Sequence, residues 1–167
     1  MNFNPSTKKI WLSETINSEL SIKICKEVEL AILDKSINLI EILISSNGGN
    51  GTWKLIASFI ESSPKPIHTI AIGQCASAAM YILQSGHKRY GTKFASFLTH
   101  TSTFSLQGKV DHIDKIFANE AKSKEFRDSY LFHKTELTNK TMAELTSGEN
   151  FFGAKEALEY GFIDEII

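Results

Sequence analysis

Apolar positions along this chain follow a helical period in some stretches and a strand-like run in others. From Asn17 to Leu33, Leu20, Ile24, Val28, Ala31 and Ile32 recur at helical spacing, which predicts an amphipathic helix with one core-facing stripe. Ile10 to Leu12, just before it, is a short apolar run of strand type. Leu39 to Ile44 is a β-branched run that ends in Ser45-Ser46-Asn47-Gly48-Gly49-Asn50-Gly51, after which Trp53, Ile56, Phe59 and Ile60 mark a second amphipathic helix. Pro64 and Pro66 end that helix, because proline has no N–H to give and its ring clashes with the preceding turn. Ile67 to Ile72 then reads as a buried strand and Cys75 to Leu83 as a helix rich in small residues. Strands alternating with helices predict an α/β fold with a parallel sheet, whose sites lie at the carboxyl ends of strands. Both glycine-bearing turns, after Ile44 and after Ile72, fall there.

The second half of the chain is more polar. Phe94 to Thr99 predicts another strand ending at His100, with Thr101 to Leu106 as an extension before Gln107-Gly108. From Val110 to Leu137 the chain is charged, and Val110, Ile113, Phe117, Ala121, Phe126 and Tyr130 form one incomplete apolar stripe. Such a stripe predicts a long helix that protrudes or packs on a partner. A short helix near Met142 to Thr146, the pair Phe151-Phe152, a helix across Ala154 to Tyr160 stopped at Gly161, and a strand Phe162 to Ile167 complete the chain.

Composition narrows the function. The 167 residues, 42% of them apolar, suit a single domain spanning 1–167. Eighteen Lys and Arg against nineteen Asp and Glu leave no overall field to hold a nucleic-acid backbone or an acidic membrane surface. Cys25 and Cys75 make neither a disulfide framework nor a metal-ligand spacing, which fits a reducing cytoplasm. Cys75 to Leu83 is far shorter than the roughly 20 residues needed to cross a bilayer, and Met1 to Lys9 lacks the apolar run of a secretory signal.

Three stretches can carry chemistry. Glycines at 48 and 49, at a strand end, let the backbone approach a ligand and turn N–H groups toward it, or serve only as a turn; no GKS, GKT or GxGxxG pattern points to phosphate. Ser77, set among Gly73-Gln74-Cys75-Ala76 and Ala78-Ala79, is either a small core residue bonded to its own helix or, beside an imidazole, a nucleophile. His100 ends a strand between two threonines and needs a serine on one side and an acid on the other to serve as a base.

Together these stretches resemble the proteolytic subunit of the Clp (caseinolytic) protease, within the crotonase-like fold. The resemblance spans nearly the whole chain and rests on Ile42-Leu43-Ile44-Ser45-Ser46-Asn47-Gly48-Gly49, Gly73-Gln74-Cys75-Ala76-Ser77-Ala78-Ala79, Leu98-Thr99-His100, Leu106-Gln107-Gly108 and the closing run from Phe152 to Ile166. Gly48, Ser77, His100 and Glu149 stand in the family's order, separated by 29, 23 and 49 residues. The resemblance implies repeated βα units with a protruding handle helix in the charged Val110 to Leu137 segment. It implies a serine endopeptidase that cleaves unfolded proteins or peptides through an acyl-enzyme on Ser77, with His100 as base, Glu149 as the catalytic acid that orients the imidazole, and the N–H groups of Gly48 and Ala78 as oxyanion hole. It implies no metal and no cofactor, a homo-oligomer of stacked rings, and an unfoldase ATPase as a possible partner.

The chain also departs from the family's pattern. Glu149 stands where the family has aspartate, Asn47 where it has proline, Thr101-Ser102 where it has Gln-Pro, and Ser147-Gly148 where it has an acid-arginine element. About nine polar residues before Ile10 leave little of the axial segment used in ATPase docking. These departures keep two alternatives open: a catalytically weak or inactive Clp-like assembly subunit, and a crotonase-fold enzyme that holds an acyl-CoA enolate with backbone amides.

Overall fold

The computed structural model of the chain describes residues 6–101 and 110–167, leaving out the side chains of residues 110–114. The helix expected over Asn17 to Leu33 is α1, Ser18–Leu33. The Asn17 side chain accepts the Leu20 N–H at 2.9 Å and satisfies one of the unpaired donors at the helix start. Leu20, Ile24, Val28 and Ala31 form its buried stripe, joined by Ser21 and Cys25. On either side of α1 lie β1, Thr7–Leu12, and β2, Leu39–Ser46, paired in parallel from Thr7 opposite Leu39 to Leu12 opposite Ile44.

The next units are α2, Trp53–Glu61, then β3, Ile67–Ala76, then α3, Ala78–Ser85. Here the structure corrects an expectation: Cys75 and Ala76 belong to the strand, and the helix begins three residues later than its apolar run suggests. The reason is a break in register. Between Ile44–Ala71 and Ser46–Cys75, a step of two residues on β2 faces a step of four on β3. Gly73 sits in this irregularity so close to β2 that a Cβ there would lie 2.5 Å from Ser45 Oγ. Extra residues of this kind bend a strand and re-aim the side chains beyond the bend.

The bend splits β3 between two neighbours. Its first part pairs in parallel with β4, Lys88–Gly91, and its last part, Gln74 to Ala76, pairs in parallel with β5, Ser96–His100. β5 in turn pairs antiparallel with β6, Glu149–Gly153, placing His100 directly opposite Glu149. The order β1-β2-β3-β4 is completed by the short β7, Glu165–Ile166. β4 and β6 carry too few apolar residues to read as strands by pattern: Lys88-Arg89-Tyr90-Gly91 has one aromatic, and Glu149 and Asn150 open β6. The closing strand is shorter than expected because Phe162 and Ile163 are core residues on the loop ahead of it.

The charged segment is α4, Val110–Phe132, followed by α5, Asn139–Leu145, and α6, Ala154–Glu159. α4 ends at Phe132, ahead of the expected Leu137. Its carboxyl half is fastened to the body: Phe126 and Tyr130 stack toward buried Trp53, and Tyr130 Oη donates to Glu61 at 2.7 Å. Lys134 Nζ donates 2.8 Å bonds to the carbonyls of Gln84 and Gly86, satisfying acceptors left open at the end of α3. The expected extension Thr101 to Leu106 lies outside the described residues beyond Thr101, as do the side chains of Val110 and Ile113.

Arg89 anchors the chain's end. It is 5% exposed, and its guanidinium donates to Asp164, Gln84 and the Gly161 carbonyl, while its N–H donates to Asp164 Oδ2 at 2.7 Å. Burial alone raises the pKa of the Asp164 carboxyl, but the Arg89 hydrogen bonds and charge outweigh it and hold the group below its ordinary value.

Candidate active site

The bend in β3 delivers Ser77 to the junction with α3 at φ 54° and ψ −120°. Among the described residues it is the one non-glycine with positive φ. Such a conformation costs on the order of 1–3 kcal/mol and persists only where the surroundings hold it. They do: the Ser77 N–H donates to Leu98 O at 2.9 Å, its carbonyl accepts from Met80 N–H at 3.0 Å, and Ala76, Ala78 and Ala79 are buried on both sides. A serine on a strained strand-to-helix turn presents its hydroxyl outward, the arrangement of a nucleophile elbow.

The glycine loop presses on this turn. Gly48 has φ +91°, and a Cβ there would lie 2.5 Å from Ala76 O and 2.8 Å from Ala78 N. Ile16 clamps the loop from the other side, donating to Gly48 O at 2.8 Å and accepting from Asn50 N–H at 2.9 Å. These bonds use the groups on one edge, so the N–H of Gly49 points to the opposite edge, and Gly49 lines the cavity that contains Ser77. The Gly48 N–H, expected to face an oxyanion, instead donates to Ser46 Oγ at 3.1 Å, and Ser46 Oγ donates to Glu14 O at 2.7 Å. The Ala78 N–H opens α3, where no carbonyl of the helix itself can accept it.

The cavity measures about 420 Å³ and brings Ser77 and His100 to one space with Gly49 and Ala78. Its walls are unlike each other. Trp53, Met80 and Tyr81 form an apolar side, with the Trp53 and Tyr81 rings stacked 4.4 Å apart. The other side is α4, through Phe117, Ala121 and Leu131 and the ion pairs Arg127–Glu120 and Lys124–Asp128. Two residues of the long helix's apolar stripe, Phe117 and Ala121, therefore border the candidate site, while Phe117 and Phe126 stay 56% and 49% exposed. Burial raises the Tyr81 pKa, with Arg127 opposing, so the phenol stays neutral near neutral pH.

His100 is half-buried at the end of β5. Its Nδ1 lies 2.7 Å from Thr101 O. The register pairs it with Glu149 across β5 and β6, but Glu149 is exposed and, among the described residues, accepts no hydrogen bond from the imidazole. Nor, among the described residues, do Ser77 Oγ and His100 share a hydrogen bond. The segment that leads into Glu149 is nonetheless tightly held. Thr101 N–H donates to Gly148 O at 3.0 Å, Thr101 Oγ1 donates to Thr146 O at 2.9 Å, and Gly148 N–H donates to Thr101 Oγ1 at 3.2 Å. Asn150 Nδ2 reaches the carbonyls of Glu144, Leu145 and Ser147 at 2.9 to 3.1 Å.

Both thiols are unsuited to nucleophilic work. Cys75 is fully buried and its pKa is driven upward by desolvation, and burial pushes Cys25 up to about 11. Among the described residues no three His, Cys, Asp or Glu side chains are placed to hold a metal ion, and no helix is long and apolar enough to cross a membrane. Sequence reasoning missed Ile16 and Ser46 and marked Thr101 only as a departure from the family's pattern. Only Ser46, next to the glycines, carries a local signal, as a hydroxyl that can accept the N–H two residues on.

The profile of the Clp protease family matches residues 4–167. The chain is 32% identical over 165 residues to the ATP-dependent Clp protease proteolytic subunit 2 of Treponema denticola, covering 96% of this chain and 82% of that one. It is 31% identical over 163 residues to the subunit of the same name from Tropheryma whipplei, with 94% and 89% covered. The Bifidobacterium longum subunit 2 is 26% identical over 164 residues, with 95% and 78% covered. By the match over nearly its whole length, the chain belongs to the Clp protease family, with its crotonase-like α/β fold and serine-type endopeptidase activity.

Proposed function

We propose that Ser77 is the nucleophile of this peptidase and His100 its general base. The observation that carries the reading is the strained Ser77 turn opening on the same cavity as His100. His100 Nε2 takes the hydroxyl proton as Ser77 Oγ bonds to the substrate carbonyl carbon. The imidazolium then gives that proton to the leaving amine as the peptide bond breaks, leaving an ester on Ser77 that water hydrolyses by the same two steps. The tetrahedral oxyanion is held by the N–H groups of Gly49 and Ala78. Gly49 takes this place rather than Gly48 because the Gly48 amide is engaged by Ser46 Oγ. One such donor is worth on the order of 10²- to 10³-fold in rate. Glu149 keeps its place opposite His100 in the register, and no proton step is routed through its carboxylate.

The substrate is unfolded polypeptide or peptide laid along the cavity, whose apolar wall of Trp53, Met80 and Tyr81 adjoins Ser77. The unit is a single peptidase domain working in the cytoplasm as a self-assembled, stacked ring that takes substrate from an unfoldase ATPase. Exposed Phe94 and Phe151, 81% and 66% accessible in the single chain, support burial between copies. Hydrolysis of a fluorogenic peptide tests the chemistry. Ser77→Ala is expected to remove activity by on the order of 10⁶-fold. Retention of full activity would overturn the reading.

A further inference from the structure

We propose that the main-chain carbonyl of Thr101, rather than an acidic side chain, sets the working tautomer of His100, which makes Thr101 a positioning residue. The inference rests on the Ser77–His100 reading above. A carbonyl oxygen can only accept, so the 2.7 Å contact between His100 Nδ1 and Thr101 O places the proton on Nδ1. The neutral ring then carries its lone pair on Nε2, the form a general base needs. In serine peptidases that form is set by a buried carboxylate, and its loss costs on the order of 10⁴-fold.

An exposed carboxylate without a bond to the ring cannot do this work, and Glu149 is such a group. The carbonyl, by contrast, is held in place from both ends of its residue. The Thr101 N–H is tied to Gly148 O, and the hydroxyl bridges Thr146 O and the Gly148 N–H. Asn150 in turn gathers the carbonyls of Glu144, Leu145 and Ser147. The connection between α5 and β6 thus acts on the imidazole through Thr101 while its acid faces solvent. When His100 becomes positively charged, the Nδ1–H bond to the carbonyl is retained and strengthened by the charge.

Two measurements test this. In ¹⁵N NMR of histidine-labelled protein at a pH where the imidazole is neutral, with the His100 signal identified by its loss in His100→Gln, wild type and Glu149→Gln should both show Nδ1 protonated. Appearance of the Nε2-protonated form in Glu149→Gln overturns the inference. In peptide hydrolysis, Glu149→Gln should lower kcat less than about tenfold, far short of the loss, on the order of 10⁴-fold, that disabling a triad acid causes. Thr101→Val, which removes both hydroxyl bonds, should lower kcat more than Glu149→Gln does with KM unchanged, and Thr101→Ser should restore it. The reverse order, or loss equal in Thr101→Val and Thr101→Ser, overturns it. The NMR result does not depend on activity. Failure of the Ser77 reading is seen separately, as hydrolysis that survives Ser77→Ala.

Discussion

The two sides of the candidate site are built differently. Ser77 and Gly48 sit where β2, β3 and α3 meet, beside buried Ser46, Ala76, Ala78 and Ala79, with Ile16 and Ser46 binding the loop from behind. His100 sits on β5, whose outer neighbour β6 starts with an exposed glutamate, and Thr101 and Asn150 hold the connection that leads from α5 into β6. Ser77, the proposed nucleophile, and the amides proposed to face the oxyanion are therefore fixed by close packing, where a small displacement meets backbone atoms. His100, the proposed base, is fixed by a few surface hydrogen bonds. Damage to the first side should act through sterics and be severe. Damage to the second should act through orientation and be graded.

Gly48→Ala is the sharpest way to break the packed side. Its Cβ meets the Ala76 carbonyl and the Ala78 amide, neither of which can move without shifting Ser77. A fall in kcat of on the order of 10²- to 10³-fold is expected, equal to losing an oxyanion donor, with peptide hydrolysis as the readout. Asn150→Ala tests the rim. It releases three carbonyls at the end of α5, and a stability loss of about 1–2 kcal/mol in urea unfolding is expected, with a kcat loss smaller than that of Gly48→Ala. A larger kcat effect at Asn150 than at Gly48 would reverse the comparison.

Asp164→Asn lies on neither side and should have the smallest effect. Because the folded carboxyl titrates below its ordinary value, its contribution is complete above the unfolded pKa of about 3.9 and disappears as pH falls through the folded one. Thermal unfolding should therefore show the variant less stable than wild type near pH 6, with the gap closing as the pH drops below about 4. A gap that widens toward acid would contradict the Arg89–Asp164 account.

Much of the packed side was legible in the sequence. The helical spacing of Leu20, Ile24, Val28 and Ala31, the β-branched run before Gly48, and the small residues around Ser77 are direct marks of burial. The rim was legible only as an order of residues. Nothing in Glu149-Asn150-Phe151 or Lys88-Arg89-Tyr90-Gly91 alternates strongly enough to announce a strand, because these pairings are held by backbone bonds and long-range contacts. Which glycine amide faces the cavity depends on where Ser46 Oγ reaches, a matter of a peptide's orientation that residue types do not encode. The place of α4 beside the candidate site was hidden for a related reason: an incomplete stripe shows that a helix has an apolar face but not what lies against it.

The central claim is that Ser77 is activated by His100 in a cavity lined by two amide donors. It is tested most directly by treating the assembled protein with a fluorophosphonate probe and mapping the adduct by mass spectrometry. A single adduct on the Ser77 hydroxyl, strongly slowed in His100→Ala and absent in Ser77→Ala, is predicted. An unlabelled Ser77 in assembled protein, or labelling that persists unchanged without His100, would contradict it.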